Sequence, residues 1–374
     1  MHISPLDSIH RQRGARLTEF GGWELPLRYG SELAEHEAVR QRAGLFDLSH
    51  MAKFDLVGPE AGAGLDRALT AWHSTMTVGR AAYSLLLAND GGVIDDLIVY
   101  RLAEQHYLVI ANAANHDVDA AELTARLSPY QVETTDLTFD QALIAVQGPV
   151  AAAILQAAGL ADLSDLRYYA ARPDRLGDTP VLICRTGYTG EDGFEIMVPA
   201  AQAEAVWASL EQAGQPLGLT LCGLACRDTL RLEAGMPLYG HELTRATTPW
   251  EAGLRRYVAL DKDDFVGRPA LVEEAEQTPR SHLVGLRGTG RRAPRAGYRV
   301  CSPDGRPIGE VTSGALSPTL GHPIALAYVT GPAPAPGDRL AVDVRGDLLT
   351  VEVTAPPFYR RPRPGSRPLS QSQS

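Results

Sequence analysis

The sequence predicts an α+β protein with a small all-β domain at its C-terminal end. Three observations carry this. Strand patterns alternate with amphipathic helix patterns through about the first 260 residues. An apolar strand, a Gly-Pro turn and an Ala-rich helix occur together twice, in FDLVGPEAGAGLDRAL and in ALIAVQGPVAAAILQAA. Past about residue 280 only short strand patterns remain, separated by Gly and Pro.

Taken in order, SELAEHEAVRQRAG reads as a helix, with Ser31 as N-cap and Gly44 as its stop. FDLVGPEAGAGLDRALTA follows as strand, turn at Gly58-Pro59, and helix. AAYSLLLANDGGVIDDLIVYRL reads as a β-hairpin, because two apolar runs flank Asn89-Asp90-Gly91-Gly92 and glycine tolerates positive φ. HYLVIANA is a strand and HDVDAAELTARL a helix. The second Gly-Pro pair, Gly148-Pro149, points to a second unit resembling the first, although Gly-Pro before a helix is common turn chemistry. TPVLICRTGYTGEDGFEIMVP is strand, Gly-rich turn and strand. AQAEAVWASLEQAG and LCGLACRDTLRLEAG are helices, the second ending at Gly235. HLVGLRG, GYRVCS, PIGEVTSG, IALAYV, DRLAVDVRG and LLTVEVTA are short strands of a small antiparallel barrel or sandwich. RRPRPGSRPLSQSQS is expected to fray.

The 374 residues carry a formal charge of −10, with two lysines (Lys53 and Lys262) against 33 arginines. That length suits about two or three domains. The acidic balance argues against a general nucleic-acid binder, which would show a basic stripe. No run approaches the roughly 18 apolar residues of a membrane span, and the N-terminus lacks a signal-peptide core. The cysteines, Cys184, Cys222, Cys226 and Cys301, are too few and scattered for a disulfide framework. They read as buried free thiols in a reducing cytoplasm. No metal-ligand spacing occurs among the histidines and cysteines, so no metal is expected.

Asp95 and Asp96 lie on the returning hairpin strand, where neighbours point to opposite faces. Val93, Leu97 and Val99 flank Asp95; Ile94, Ile98 and Tyr100 flank Asp96. A carboxylate among aliphatics must find a partner or keep its proton. The plainer reading is a hydrogen-bonded structural Asp near the turn.

Arg185 to Glu195, RTGYTGEDGFE, has three glycines at spacing three. No Lys-Ser/Thr follows, so it is no phosphate loop, and Glu191 and Asp192 would repel phosphate. Tyr188 offers a stacking face, and Glu195 lies just past the turn; a plain hairpin is the bland alternative. Arg227 and Arg231 share one helix face and could grip a carboxylate bidentately. The alternative is salt bridging to Asp228 and Glu233. Ser49 and His50 are sequence neighbours that diverge, so they form no nucleophile–base pair.

These segments, in this order, resemble the folate-binding aminomethyltransferase superfamily, and within it the T protein of the glycine cleavage system. The resemblance runs from about residue 5 to about 360. It rests on FGGWELPLRY (20–29), AGLFDLSHM (43–51), YSLLLANDGGVIDDLIVYR (83–101), ANAAN (111–115) and QGP (147–149). RTGYTGEDGFEI (185–196), CRDTLRLEAGMPLYGHEL (226–243), FVGRPAL (265–271), GEVTSGALSPTLG (309–321) and IALAYV (324–329) extend it. Relatives fused to a flavoprotein dehydrogenase are disfavoured, since no such domain is present and no flavin is implied. Iron–sulfur-maturation relatives carry a Cys where this chain has RTGYTGEDGFE.

The resemblance implies three lobes around a central channel. Two are interleaved α+β folate-binding subdomains within 1–260; the third is a C-terminal antiparallel β-barrel at 280–360, with 364–374 a disordered tail. It implies transfer of the methylene carbon from the aminomethyl-loaded lipoyl arm of H protein to tetrahydrofolate, with ammonia released. Asp96 is then the catalytic residue, Asp95 on the other strand face mattering less. Contacts to substrate or cofactor are implied for Glu195, Arg227, Tyr188, Asn112, Tyr83, Met51, Tyr100, Tyr359 and Arg360. The implied partners are H protein and tetrahydrofolate, with no nucleic acid, membrane or metal, in the cytoplasm. Alternatives on the same fold are a folate-binding regulatory or maturation protein and a tetrahydrofolate-dependent demethylase. H protein and the folate tail are both acidic, which points to a local arginine patch drawn from Arg227, Arg231, Arg291, Arg292, Arg295, Arg360, Arg361 and Arg363.

Overall fold

A computed structural model describes residues 1–277 and 279–362. The expected frayed tail at 364–374, and Arg363, lie outside the described residues. The chain opens on a small sheet with no forewarning in the sequence: β1 (His2–Ile3), α1 (Asp7–Gln12), β2 (Arg16–Phe20) and β3 (Trp23–Arg28), with strand order β1-β3-β2. Its strands are too short for visible alternation, and Pro26 interrupts the third.

α2 (Glu32–Gln41) is capped as expected, Ser31 Oγ accepting from Ala34 N. It stops at Arg42 rather than Gly44. Gly44 lies inside β4 (Ala43–Asp47), where a side chain would collide with Val39 and Cys222.

The chain then builds one sheet inside another. β5 (Ala52–Val57), α3 (Ala61–Ala68), β6 (Ala81–Leu87), β7 (Val93–Ala103), β8 (His106–Ala111), α4 (His116–Leu127) and β9 (Glu133–Asp136) give a five-stranded sheet ordered β6-β7-β8-β5-β9. β10 (Gln141–Gln147), α5 (Ala151–Ala157), β11 (Ala171–Leu176), β12 (Thr179–Cys184), β13 (Gly193–Pro199), α6 (Ala203–Gly214) and β14 (Leu219–Leu221) return to the earlier β4. The six-stranded order is β11-β12-β13-β10-β4-β14, with β4 antiparallel to β10 and parallel to β14. The two Gly-Pro turns follow β5 and β10, one in each sheet.

Helices α3 and α4 bury Leu65, Leu123 and Leu127 against the first sheet. Helices α5 and α6 bury Ile154, Leu155 and Trp207 against the second. Between the sheets lie Phe46, Leu48, Tyr100, Leu108, Leu143 and Leu182. β7 therefore presents one side to this inter-sheet core and carries the two aspartates where it leaves the turn.

α7 (Leu224–Glu233) and α8 (Arg268–Ala275) lead to β15 (Ser281–Gly288), β16 (Arg299–Cys301), β17 (Pro307–Leu316), β18 (Pro323–Thr330), β19 (Arg339–Val344) and β20 (Asp347–Thr354). These close into a barrel ordered β15-β18-β17-β16-β19-β20, which decides between barrel and sandwich. Its interior is Val284, Leu286, Val300, Val311, Val329, Val342 and Val353, as alternating strands require.

Both lysines are buried. Lys53 Nζ donates to the carbonyls of Ser49, Met51 and Thr138, and Lys262 Nζ to those of Asp66, Leu69 and Ala71. Burial pushes the Lys53 ammonium down to about 7. The positive surface charge described is consequently all arginine apart from the N-terminus. The four cysteines are buried free thiols.

Candidate active site

Asp96 leaves the β6–β7 hairpin half-buried, opposite Leu85 in register. Tyr83 OH donates to its Oδ2 at 3.0 Å, and Asn112 Nδ2 donates to its Oδ1 at 3.0 Å. Burial, then the charge of Asp95, push its carboxyl up to about 7 against these two donors. An ionisable group half-protonated near neutral pH, with part of its surface open, is equipped to move a proton or to balance a transient positive charge.

Strand alternation suggested that Asp95 is separate. It is not, because Asn112 reaches both residues. Its Nδ2 also lies 2.8 Å from Asp95 Oδ1, and its backbone N–H donates to Asp95 Oδ2 at 2.9 Å. Asn115 Nδ2 adds a bond of 2.7 Å. Asp95 is fully buried and acts as the anchor for the loop after β8.

A second group of residues forms at the RTGYTGEDG loop. Gln147, at the end of β10, threads it: Nε2 donates to Thr186 O and Thr189 Oγ1 donates to Oε1, both at 3.1 Å. Gly187 and Gly193 are glycines because they flank this amide, and a Cβ would sit 2.0 and 2.4 Å from it. Gly193→Ala is expected to cost about 1–3 kcal/mol by overpacking. Thermal melts of the variant against the wild type check this. The loop is therefore a built support rather than a plain hairpin.

Glu195 is half-buried and accepts from Thr186 Oγ1 at 2.5 Å. Burial raises its pKa, while Thr186 and the charge of Arg227 oppose. Arg227 places its guanidinium 4.8 Å from the centroid of the Tyr188 ring, and this side chain makes no hydrogen bond or ion pair among the described residues. Tyr188 is pinned by donating its hydroxyl to Pro237 O. It lies within electrostatic reach of Asp96 and of Arg227, so it stands between the two groups.

Some expected contacts fall elsewhere. Tyr100 is 1 % exposed and bonds Thr186 Oγ1 at 2.8 Å, so it props the Glu195 partner instead of facing a ligand. Met51 packs at the edge of the inter-sheet core, partly exposed. Tyr359 lies under Arg40, whose guanidinium is 4.1 Å from its ring centroid, and is drawn to Glu191 rather than to Asp96 or Glu195. Arg360 is exposed and makes no hydrogen bond or ion pair among the described residues. Arg231 is 1 % exposed and fully engaged by Glu242 and Asp228, each at 2.8 Å, and by Ser313. Helix spacing paired it with Arg227, but it is engaged by Asp228 of its own helix, as the alternative reading had it, and by Glu242 of the following loop and Ser313 of the barrel. It cannot contribute to a surface patch, and Glu233 is not its partner.

Tyr257 joins the neighbourhood of Asp96 through Tyr83. Its ring packs on Tyr83 at 4.6 Å, and Arg256 lies 4.7 Å over it. It sits in a 3₁₀ turn (Arg255–Tyr257) with no periodicity around it, so only proximity in space reveals it. Among the described residues no group of His, Cys, Asp and Glu side chains is arranged to hold a metal ion. No helix there is long and apolar enough to cross a membrane.

Comparison with known proteins fits this division of the chain. Residues 6–262 match the GCVT N-terminal domain, and 282–360 match the glycine cleavage T-protein C-terminal barrel domain. An aminomethyltransferase of Saccharopolyspora erythraea is 54 % identical, covering 96 % of this chain and 98 % of its own length. One from Streptomyces avermitilis is 55 % identical over 95 % and 97 %. The solved glycine cleavage system aminomethyltransferase T of Bartonella henselae superposes with a TM-score of 0.91 at 37 % identity, over 96 % of this chain and 98 % of that one. Agreement in sequence and architecture over both parts leaves one assignment: the chain belongs to the glycine cleavage T-protein family and is an aminomethyltransferase.

Proposed function

We propose that this site moves the methylene carbon of an aminomethyl group, carried on the lipoyl arm of H protein, to tetrahydrofolate. The products are ammonia, 5,10-methylenetetrahydrofolate and dihydrolipoyl H protein. The observation that carries this reading is Asp96, a carboxyl tuned toward neutrality and held by a phenol and an amide while part of it stays open.

The residues fit a folate. Glu195 keeps an oxygen beyond its Thr186 bond and suits the adjacent N–H donors of a pterin. Arg227, unpaired beside Glu195, suits an anionic or carbonyl group. Tyr188 and Tyr257 offer faces for an aryl ring. Tetrahydrofolate supplies the nitrogens that accept the carbon. Two C–N bonds to folate form as the carbon's bonds to the amine and to the lipoyl sulfur break; Asp96 passes one folate N–H proton to the departing amine, the second folate N–H proton goes to the lipoyl thiolate, and the Asp96 carboxylate balances positive charge on the transferred carbon. Leu85 opposite it and Ile98 two residues on exclude water and strengthen that balance. A cavity of about 640 Å³, lined in part by Ile94, Asn115, Val118, Tyr239 and Val266, lies between the hairpin turn and α4. A pure folate-binding module has no use for a carboxyl held in this way. Four buried free thiols suit a reducing cytoplasm.

The test is a coupled assay with aminomethyl-loaded H protein and tetrahydrofolate, following methylenetetrahydrofolate. No product with active partners overturns the reading. Docking of the acidic H protein falls to the exposed arginines, of which Arg255 and Arg256 share the turn of Tyr257 and Arg361 lies over the nearby Tyr168. Association should weaken severalfold between about 0.05 and about 0.5 M salt, as the Debye length falls to about 4 Å. Salt-insensitive binding in titration calorimetry counts against such a patch.

A further inference from the structure

Beside Asp95 lies a carboxyl that the transfer chemistry does not use. Asp119, on α4, is 0 % exposed, and neither of its oxygens meets an N–H or hydroxyl donor among the described residues. Its hydrogen-bonding neighbour is the carboxyl of Asp95. Two buried carboxylates in contact cannot both be ionised, so one of them carries a proton. The backbone N–H and Nδ2 of Asn112 and the Nδ2 of Asn115 all donate to Asp95, and none of them to Asp119. That asymmetry puts the charge on Asp95 and the proton on Asp119.

The surroundings agree. Asp95 and Asp96 of β7, Glu122 and Arg126 of α4, and Tyr239 from the loop after α7 are the titratable groups that face Asp119. Arg126 is committed to Glu122 and to the carbonyls of Ala68 and Leu87, and beyond it on α3 stands Arg67, another cation. Among the described residues no cation makes an ion pair or hydrogen bond with Asp119, and Arg126 acts on it only at a distance. Burial and the Asp95 charge push the Asp119 carboxyl up to about 10.

We propose that Asp119 is a positioning residue for the transfer reaction, a neutral acid whose O–H, donated to Asp95, keeps Asp95 as the anion that shares Asn112 with Asp96. The proposal rests on the role given to Asp96 above. Two consequences follow for Asp96. The Asp95 charge delays its ionisation until near neutral pH. The Asn112 amide, fixed on Asp95, presents its Nδ2 to Asp96 in one orientation.

The test compares Asp119→Asn with Asp119→Leu. The amide of Asp119→Asn still donates to Asp95 and should leave the acid limb of the kcat–pH profile where the wild type has it. Asp119→Leu removes the donor, so Asp95 takes up the proton itself. The limb should then move to lower pH by about one unit, with kcat reduced about tenfold or more. A folded Asp119→Leu enzyme with the wild-type limb, or equal displacement in both variants, overturns the proposal. If Asp119→Leu does not fold, infrared spectroscopy decides. At about pH 9, with Asp96 ionised, the wild type should show the C=O stretch of a protonated carboxyl that Asp119→Asn lacks. A wild type without that band overturns the proposal. The band is read without substrates, so its failure is distinct from failure of the transferase reading, which the coupled assay on the wild type decides.

Discussion

Asp96→Asn is expected to lower kcat by about 10²–10⁴-fold, the usual range for removing a positioned proton-transfer group. Asparagine has nearly the same shape and can still accept from Tyr83 OH, so the pocket stays built. It can neither take a proton nor hold a negative charge. Tetrahydrofolate affinity should change by less than about threefold, because Glu195, Arg227 and Tyr188 supply the proposed folate contacts. Stability should hold or rise. A carboxyl whose folded pKa is raised, here from 3.8 to about 7, costs the fold more as pH climbs through that window. The amide removes that cost, so the variant at pH 8 should melt no earlier than the wild type. Near-normal turnover in a folded variant would sink the assignment of Asp96.

The wild-type profile gives an independent view of the same group. If the carboxylate is the working form, kcat rises with pH through about 7, and this limb vanishes in Asp96→Asn. A limb that survives the substitution belongs to another group. Asp95→Asn is not the silent control that strand alternation suggests. It disturbs Asn112, and through it Asp96, so a partial loss of kcat with a displaced limb is expected.

Local signals in the chain were readable, and non-local ones were not. The hairpin around Asn89-Asp90-Gly91-Gly92 and the Gly-Pro turns announce themselves because turn chemistry acts over a few residues. The barrel strands announce themselves by alternation. The pairing of β4 with β10 across an entire intervening sheet has no local signature. Nor does the convergence of Asp95 and Asp96 on one amide, since Asn112 arrives from the next strand over. For Arg231 the helix spacing was correct and the inference from it was wrong. The helix supplies one partner, Asp228, but the buried carboxylate of Glu242 and the Ser313 hydroxyl, both distant in sequence, take the rest of the guanidinium. Tyr100 was similarly placed on the right strand face, but that face is covered by the second sheet.

Glu233→Ala is expected to cost about 3–5 kcal/mol, the range for leaving buried charges without their counter-ion. Glu233 ends α7 with no exposed surface. It accepts from Arg40 Nη2 at 2.8 Å, and His36 Nε2 lies 3.1 Å from it, both residues on α2. It also accepts from Ser317 Oγ and from Thr319 N and Oγ1 in the turn between β17 and β18, and its backbone carbonyl takes the Tyr359 N–H. One carboxylate thus joins α2, α7, the barrel and the chain after the barrel. Burial alone would raise its pKa, but His36 and Arg40 more than offset this and hold it at about 2. Because the folded pKa is depressed, the stabilisation is fully present above the ordinary carboxylate range. It is lost as pH falls from about 4.5 through about 2. The alanine variant removes it at every pH and leaves His36 and two hydroxyls facing a void, with Glu191 as the one ion-pair partner of Arg40 among the described residues. Urea unfolding at pH 7 should show the full loss, and the gap between variant and wild type should narrow toward pH 3. Glu233→Gln, which keeps an acceptor but no charge, should fall between them. A gap below about 1 kcal/mol at pH 7, or one that does not change with acid, would mean that barrel and body are held by their apolar contacts through Leu232, Ile324 and Leu326, with the charge cluster incidental.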